Sequence, residues 1–213
     1  MRLLILFFLI AFSSIATPVF ANADEINAAF GKYRSAILAG DANAAYQLID
    51  SNSKNYYREI LKVILFANET ESKFLPPLAK VSLIQARHQI PLDKLKLMDE
   101  KTYFSHAVKQ GWIGKKSVTD MELADIVVSQ DTATSKISKG GKTAPFGFTF
   151  HKEEGTWKID LTSILPTSDK AFKQVIQKSG KNEDAYIFTI IEKLSGKKVQ
   201  DSVWTPPLTL SSQ

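Results

Sequence analysis

The residues best suited to chemistry in this chain are few and scattered. FGFTFHKEEGTWKID, residues 146–160, carries His151, Lys158 and Asp160 between aromatic residues. Its alternation reads as two strands joined through KEEG, which sets Phe150 against Trp157, Phe148 against Ile159 and Phe146 against Leu161 on one face. Thr149, His151, Lys158 and Asp160 then share the opposite face, where His151, beside the charged turn, is expected to meet water. Acid–base catalysis needs a carboxylate or imidazole tuned by apolar walls and opposed by a donor such as tyrosine. His106, three residues after Tyr103 and shortly before Trp112, is the best base candidate, and Asp125, ahead of the apolar IVV, is the carboxylate candidate. For both, a structural hydrogen bond or simple exposure is the plainer expectation, so no catalytic residue is assigned.

Other chemistries find less support. The three histidines, His88, His106 and His151, have no short metal-ligand spacing, and neither HExxH nor paired cysteines occur, so no metal or cofactor is expected. Ser105, Ser129 and Ser163 lack a GxSxG setting. The glycine pair 140–141 suits a turn, since no phosphate-binding loop surrounds it. Arg87 and His88 stand near the end of a predicted helix, where positive side chains interact favourably with the carboxyl terminus; an anion clamp at Arg87 is the sharper alternative.

Elements that position these residues follow from periodicity. Helices are predicted over 24–39, over ANAAYQLID behind an Asp41 cap, and from near Ser53 through SKNYYREILKVILFA. NETESKF reads as a turn. PPLAKVSLIQARHQ reads as a helix with Pro77 in its first turn, with a strand over KVSLIQA as the alternative. PLDKLKLMDEKTYFSHAVKQGW divides into two short helices, the second turning Tyr103, Phe104, Ala107 and Val108 inward. From Asp120 the period becomes alternating, with strands at MELADIVVSQ, TATSKISK, PFGFTFHK and TWKIDLTSI. A helix capped by Ser168, another ending at Gly196 and an extended tail complete an α+β chain.

Composition narrows the setting. Arg2 precedes the apolar run Leu3–Phe12 and a small-residue exit, the order of a cleaved export signal over residues 1–23, with cleavage after Ala21 or Ala23. That run is shorter than the ~20 apolar residues a spanning helix needs. No later segment reaches that length, so no transmembrane segment is expected in the mature chain, whose expected location is the periplasm. Cysteine is absent, which excludes disulfides and thiol chemistry. The formal net charge is +5, one from Arg2 and the rest from Lys136 onward, where it is spread among acids without interleaved aromatics; nucleic acid is not an expected partner.

AILAGDANAAYQLID, followed by DTATSKI and FTFHKEEGTWKIDL, resembles the nuclear-transport-factor-2-like superfamily over roughly residues 24–163. The resemblance implies amino-terminal helices packed on a curved antiparallel, cone-like sheet over 24–165. Residues 166–213 then form a carboxyl-terminal helical extension and tail on the same unit. The stretch 73–119 is longer than the simplest cone requires, and the helices after Pro166 are additions. Such cones often enclose an apolar cavity, and members include isomerases, dehydratases, hydrolases and non-catalytic binding or assembly domains, so fold alone selects no activity. The expectation is an exported binding protein for a small apolar or amphipathic molecule, with Tyr46, Tyr103, Phe104, Trp112, Phe148 and Trp157 as candidate ligand-binding residues. An assembly module pairing with itself as a homodimer or with an envelope protein is the second reading. An acid–base enzyme using His106 or Asp125 is the third.

Overall fold

The computed structural model describes residues 19–113 and 115–209. The apolar run of the expected export signal lies outside the described residues, whereas its exit segment falls in the first helix. No helix of the described residues is long and apolar enough to cross a membrane.

The chain is α+β, with helices first, a sheet second and helices last. Helices α1 (Val19–Ala39), α2 (Ala42–Gln47), α3 (Ser51–Phe66), α4 (Glu69–Lys73), α5 (Pro77–Gln89), α6 (Leu92–Leu95), α7 (Glu100–Lys109) and α8 (Lys115–Val118) precede the sheet. Strands β1 (Met121–Ser129), β2 (Thr132–Lys139), β3 (Lys142–Thr143), β4 (Thr149–Glu153) and β5 (Thr156–Asp160) follow. A 3-10 turn at Leu161–Ile164 leads into α9 (Leu165–Ser179), α10 (Glu183–Ser195) and a last 3-10 turn at Asp201–Trp204.

Side-chain caps set most helix starts. Asp41 accepts the Ala44 N–H at 2.9 Å, as expected. Helix α3 begins two residues before the predicted start, because Asp50 turns its carboxylate onto the Ser53 N–H at 2.8 Å. NETESKF is helical rather than a turn: Asn68 and Glu71 exchange side-chain bonds with each other's backbone N–H in a capping box. Ser168 does not cap α9, which starts at Leu165 with Pro166 in its first turn. Helix α5 has no cap of its own, and its Leu78 N–H is taken by Asp169 of α9 at 2.9 Å.

The sheet is antiparallel and open, in the order β1-β2-β4-β5 with β3 also on β2. In the β4–β5 hairpin the connection is Glu154 and Gly155 alone, at φ 51° and 75°, a conformation that tight hairpins favour. The register therefore pairs Phe150 with Ile159, His151 with Lys158 and Thr149 with Asp160, two residues away from the expected pairing. A shift of two leaves every side chain on its predicted face. Ahead of β4, Phe146 and Phe148 continue the ladder along β2 through Ser135 N–H to Phe148 O, 2.9 Å, and Ile137 N–H to Phe146 O, 3.0 Å. Gly147 between them lies directly against the Ser135 and Lys136 backbone.

The outer edge of β5 is covered by the link between α2 and α3. Ile49 bridges Ile159 in parallel, with Asp50 N–H bonding Ile159 O and Ile159 N–H bonding Leu48 O, each at 3.0 Å. This satisfies an edge that would otherwise be free to pair with another chain.

Burial forms two apolar clusters. The first joins Ile26, Phe30, Tyr33 and Ile37 of α1, Ala45 and Ile49, Phe104 and Val108 of α7, and the sheet residues Ala133, Ile137, Phe148, Phe150, Trp157 and Ile159. The second joins α3, α5 and Tyr103 to Ile187 and Ile191 of α10 and to Val199, Val203 and Trp204 of the tail. The carboxyl-terminal helices thus pack on the helical side, and the tail is a turn docked by Trp204 against Phe188 rather than wholly extended. Lys80, buried on α5, bonds Glu183 at 2.7 Å and Asp184 at 3.0 Å, which ties α10 to α5 through its first turn.

Candidate functional site

A cavity of about 460 Å³ lies between the sheet's core face and the helices. Met121, Ile137, Phe146 and Phe148 form its sheet wall, Tyr33 of α1 and Tyr57 of α3 another, and Trp112, Ile113 and Val118 a third. Leu161, Ile164 and Leu165 close it from the turn after β5. A smaller space of about 220 Å³ adjoins it, sharing Tyr57, Leu78, Trp112, Ile113 and Leu165 and adding Tyr56, Tyr103, Ser82 and Gln85. The larger volume falls within the ~300–1,000 Å³ usual for small-molecule sites, with the usual dominance of apolar walls.

Polar groups in these spaces are chiefly phenols, with Ser168 in the larger and Ser82 and Gln85 in the smaller. Burial raises the Tyr33 hydroxyl well above its ordinary pKa. Burial first, and then the neighbouring phenols of Tyr33, Tyr56 and Tyr103, does the same to Tyr57. Tyr103 is raised by burial against a smaller opposing effect of its bond to Ser82. All three stay neutral across physiological pH, so they act as O–H donors and not as bases. Nothing among the described residues hydrogen-bonds to the Tyr33 or Tyr57 phenol. Among the described residues lining the two spaces none is Asp, Glu, His, Lys or Arg.

The six expected ligand-binding residues divide. Trp112 and Phe148 line the larger cavity, and Tyr103 lines the smaller one with Trp112. Tyr46 and Phe104 pack on each other with ring centroids 5.6 Å apart and line neither space. Trp157 is turned elsewhere: its indole N–H bonds Glu25 at 2.9 Å, and Lys152 lies over its ring. Tyr33 and Tyr57 also line the larger cavity, and the sequence does not single them out. Their spacing is indeed that of core residues; only the volume left between helix and sheet distinguishes them.

The two acid–base candidates lie apart from this cavity. His106 sits on α7 with its ring packed edgewise on Trp112, centroids 5.1 Å apart, and lines neither space. Burial, then Lys94 and Lys109, lowers its pKa. Asp125 is exposed at a bulge in β1, at φ 48°, and pairs with Lys136 at 2.8 Å. Nor is Arg87 an anion clamp. Its guanidinium bonds the carbonyls of Ile64 at 2.8 Å, Ala67 at 2.7 Å and Val203 at 2.9 Å, with Val63 at 3.4 Å. It therefore caps the end of α3, a neighbouring helix and not its own, and burial lowers its pKa to about 10.

A second apolar groove, about 490 Å³, runs along the end of α3 between Val63, Phe66, Ala67 and Leu75. It is more open to solvent and has no buried donor, which makes it the weaker site. No protein-family model matches the chain, and no curated protein and no solved structure matches it.

Proposed function

We propose that this is an exported, non-catalytic binding protein that holds a small apolar or amphipathic molecule in the cavity between sheet and helices, in the manner of a cone-shaped fold. The observation that carries this reading is the combination of an apolar cavity of about 460 Å³ with the phenols of Tyr33 and Tyr57 on its wall, to which no described residue hydrogen-bonds. An apolar body satisfies Trp112, Phe146 and Phe148, and one acceptor oxygen satisfies the phenol donors. An anionic head is disfavoured, because no cation among the described residues lines the space to offset its desolvation.

Export rests on the order Arg2, apolar run and small-residue exit, and the periplasm is the compartment that order serves. The acid–base reading lacks a carboxylate or imidazole among the described residues of the cavity wall, since His106 and Asp125 both lie elsewhere.

Native mass spectrometry of gently purified protein tests the reading. Added mass that is lost on denaturation, and reduced in Trp112→Ala and in Tyr33→Phe/Tyr57→Phe, is the expected result. A clean apo protein that also fails to take up an apolar fluorescent dye in the wild type would overturn it.

A further inference from the structure

The opposite face of the β4–β5 hairpin carries a second constellation, independent of the cavity. Asp50 from the start of α3, His151 from β4 and Asp160 from the end of β5 each offer one ligand atom, all within 4.8 Å of one another. His151 was expected to face water, yet its Nδ1 lies 2.9 Å from Asp50 Oδ2 and its side chain keeps only 30% of its exposure. Asp50 is fully buried and Asp160 is 6% exposed.

Each carboxylate is oriented by one oxygen and leaves the other for the cluster. Asp50 Oδ1 accepts the Ser53 N–H at 2.8 Å. Asp160 Oδ1 accepts the Thr162 N–H at 2.8 Å and hydroxyl at 2.6 Å. Among the described residues the remaining Asp160 oxygen has only a long contact from Asn52 Nδ2, 3.4 Å, so a buried carboxylate oxygen is left underbonded.

Charge is also unbalanced there. No lysine or arginine among the described residues forms an ion pair with Asp50 or Asp160; the nearby Lys158 is paired with Glu153 at 3.3 Å. Two buried carboxylates beside one imidazole call for a cation, because buried charges are paired or coordinate metals. We propose that Asp50, His151 and Asp160 form a binding site for one divalent transition-metal ion of the zinc type, open to solvent on the His151 side.

The donor set of imidazole and carboxylate oxygen suits such an ion better than calcium or magnesium, which prefer oxygen alone. Ligand bonds of ~2.0–2.2 Å place neighbouring ligand atoms ~3.0–3.5 Å apart. The Asp50–His151 separation is already close to that. Asp160 is the side chain that must close in, and its weak Asn52 contact is all that is exchanged. Binding requires the Nδ1 lone pair, with the ring proton carried on the outward Nε2. The capping bonds from Ser53 and Thr162 then serve as the orienting partners that metal-binding carboxylates commonly have.

The test is zinc titration of the EDTA-treated protein by calorimetry and native mass spectrometry, with cobalt absorption as a direct view of the coordination. Wild type is expected to bind one equivalent and to melt at a higher temperature with zinc. Affinity should fall at least about tenfold in His151→Gln and in Asp160→Asn, as loss of a metal ligand or its support does. His88→Gln and His106→Gln should bind as wild type does. If Asp160→Asn fails to fold, the half-exposed His151→Gln variant decides alone. Absence of one-equivalent binding, or binding that His151→Gln leaves unchanged, would mean that the cluster is only a hydrogen-bonded joint and would overturn the proposal.

Discussion

Replacing Gly147 by alanine puts the sheet wall of the cavity to a quantitative test. A Cβ at this position would lie 2.0 Å from Ser135 O and 2.6 Å from Lys136 Cα, and both obstacles are backbone that cannot rotate aside. The β2 backbone and the Phe146–Phe148 segment must therefore separate. Separation strains the Ser135–Phe148 and Ile137–Phe146 hydrogen bonds, about 1 kcal/mol each. Overpacking at the same place adds ~1–3 kcal/mol. A net loss of about 3–5 kcal/mol is expected, which for a chain of this size lowers the melting temperature by ~6–20 °C. Urea unfolding followed by circular dichroism measures it, with Gly31→Ala as the internal control. Gly31 lies inside α1 with nothing within 4 Å of a Cβ, so that variant should gain ~0.5–1 kcal/mol. Dye uptake by the cavity should fall in the first variant and persist in the second. A Gly147→Ala protein within about 0.5 kcal/mol of wild type would refute the close-approach argument.

Two further outcomes follow from buried cations and imidazoles. Arg87→Lys should cost about 2–3 kcal/mol in chemical unfolding, because an ammonium cannot serve four carbonyls set for a planar fork; an unchanged midpoint would deny Arg87 its capping role. His106 should titrate below 6.5 by NMR. Its folded pKa is depressed, so the unfolded chain takes up the proton first: its contribution is intact above pH 6.5 and is lost as pH falls through 6.5 toward the folded value. His106→Gln should flatten that limb of the stability curve, and a midpoint at or above 6.5 would contradict the burial argument.

Local rules were legible where one residue decides the outcome. Asp41, Pro77, Gly111 and Gly196 punctuate the helices where their chemistry demands it. The inward set Tyr103, Phe104, Ala107 and Val108 is buried as its spacing predicts. Face assignment in the last hairpin survived a wrong register because its error was even. The capping box at Asn68 and Glu71 is present in NETESKF, yet that polar stretch reads as a turn. Asp50 was hidden in a different way: it reads as the tail of one helix, and only the parallel bridge to Ile159 makes it the start of the next. Nothing local could reveal that His151 meets a carboxylate 101 positions earlier, or that Arg87 serves the end of α3. Both depend on which elements become neighbours, and the cavity likewise depends on volume that no pattern of residues records.

The bridge between Ile49 and Ile159 also sets the order in which the chain can mature. Helices α1 and α2 are synthesised before the sheet they cover, so the packing surface of Ile26, Phe30 and Ile49 is complete only once β5 has emerged. Contacts of such long sequence separation slow folding, because the entropy of closing the loop is lost before the contact rewards it. Through that interval the amino-terminal helices are expected to stay open to proteases and to holding chaperones. Pulse proteolysis during refolding should see α1 and α2 gain protection only together with the hairpin at residues 149–160.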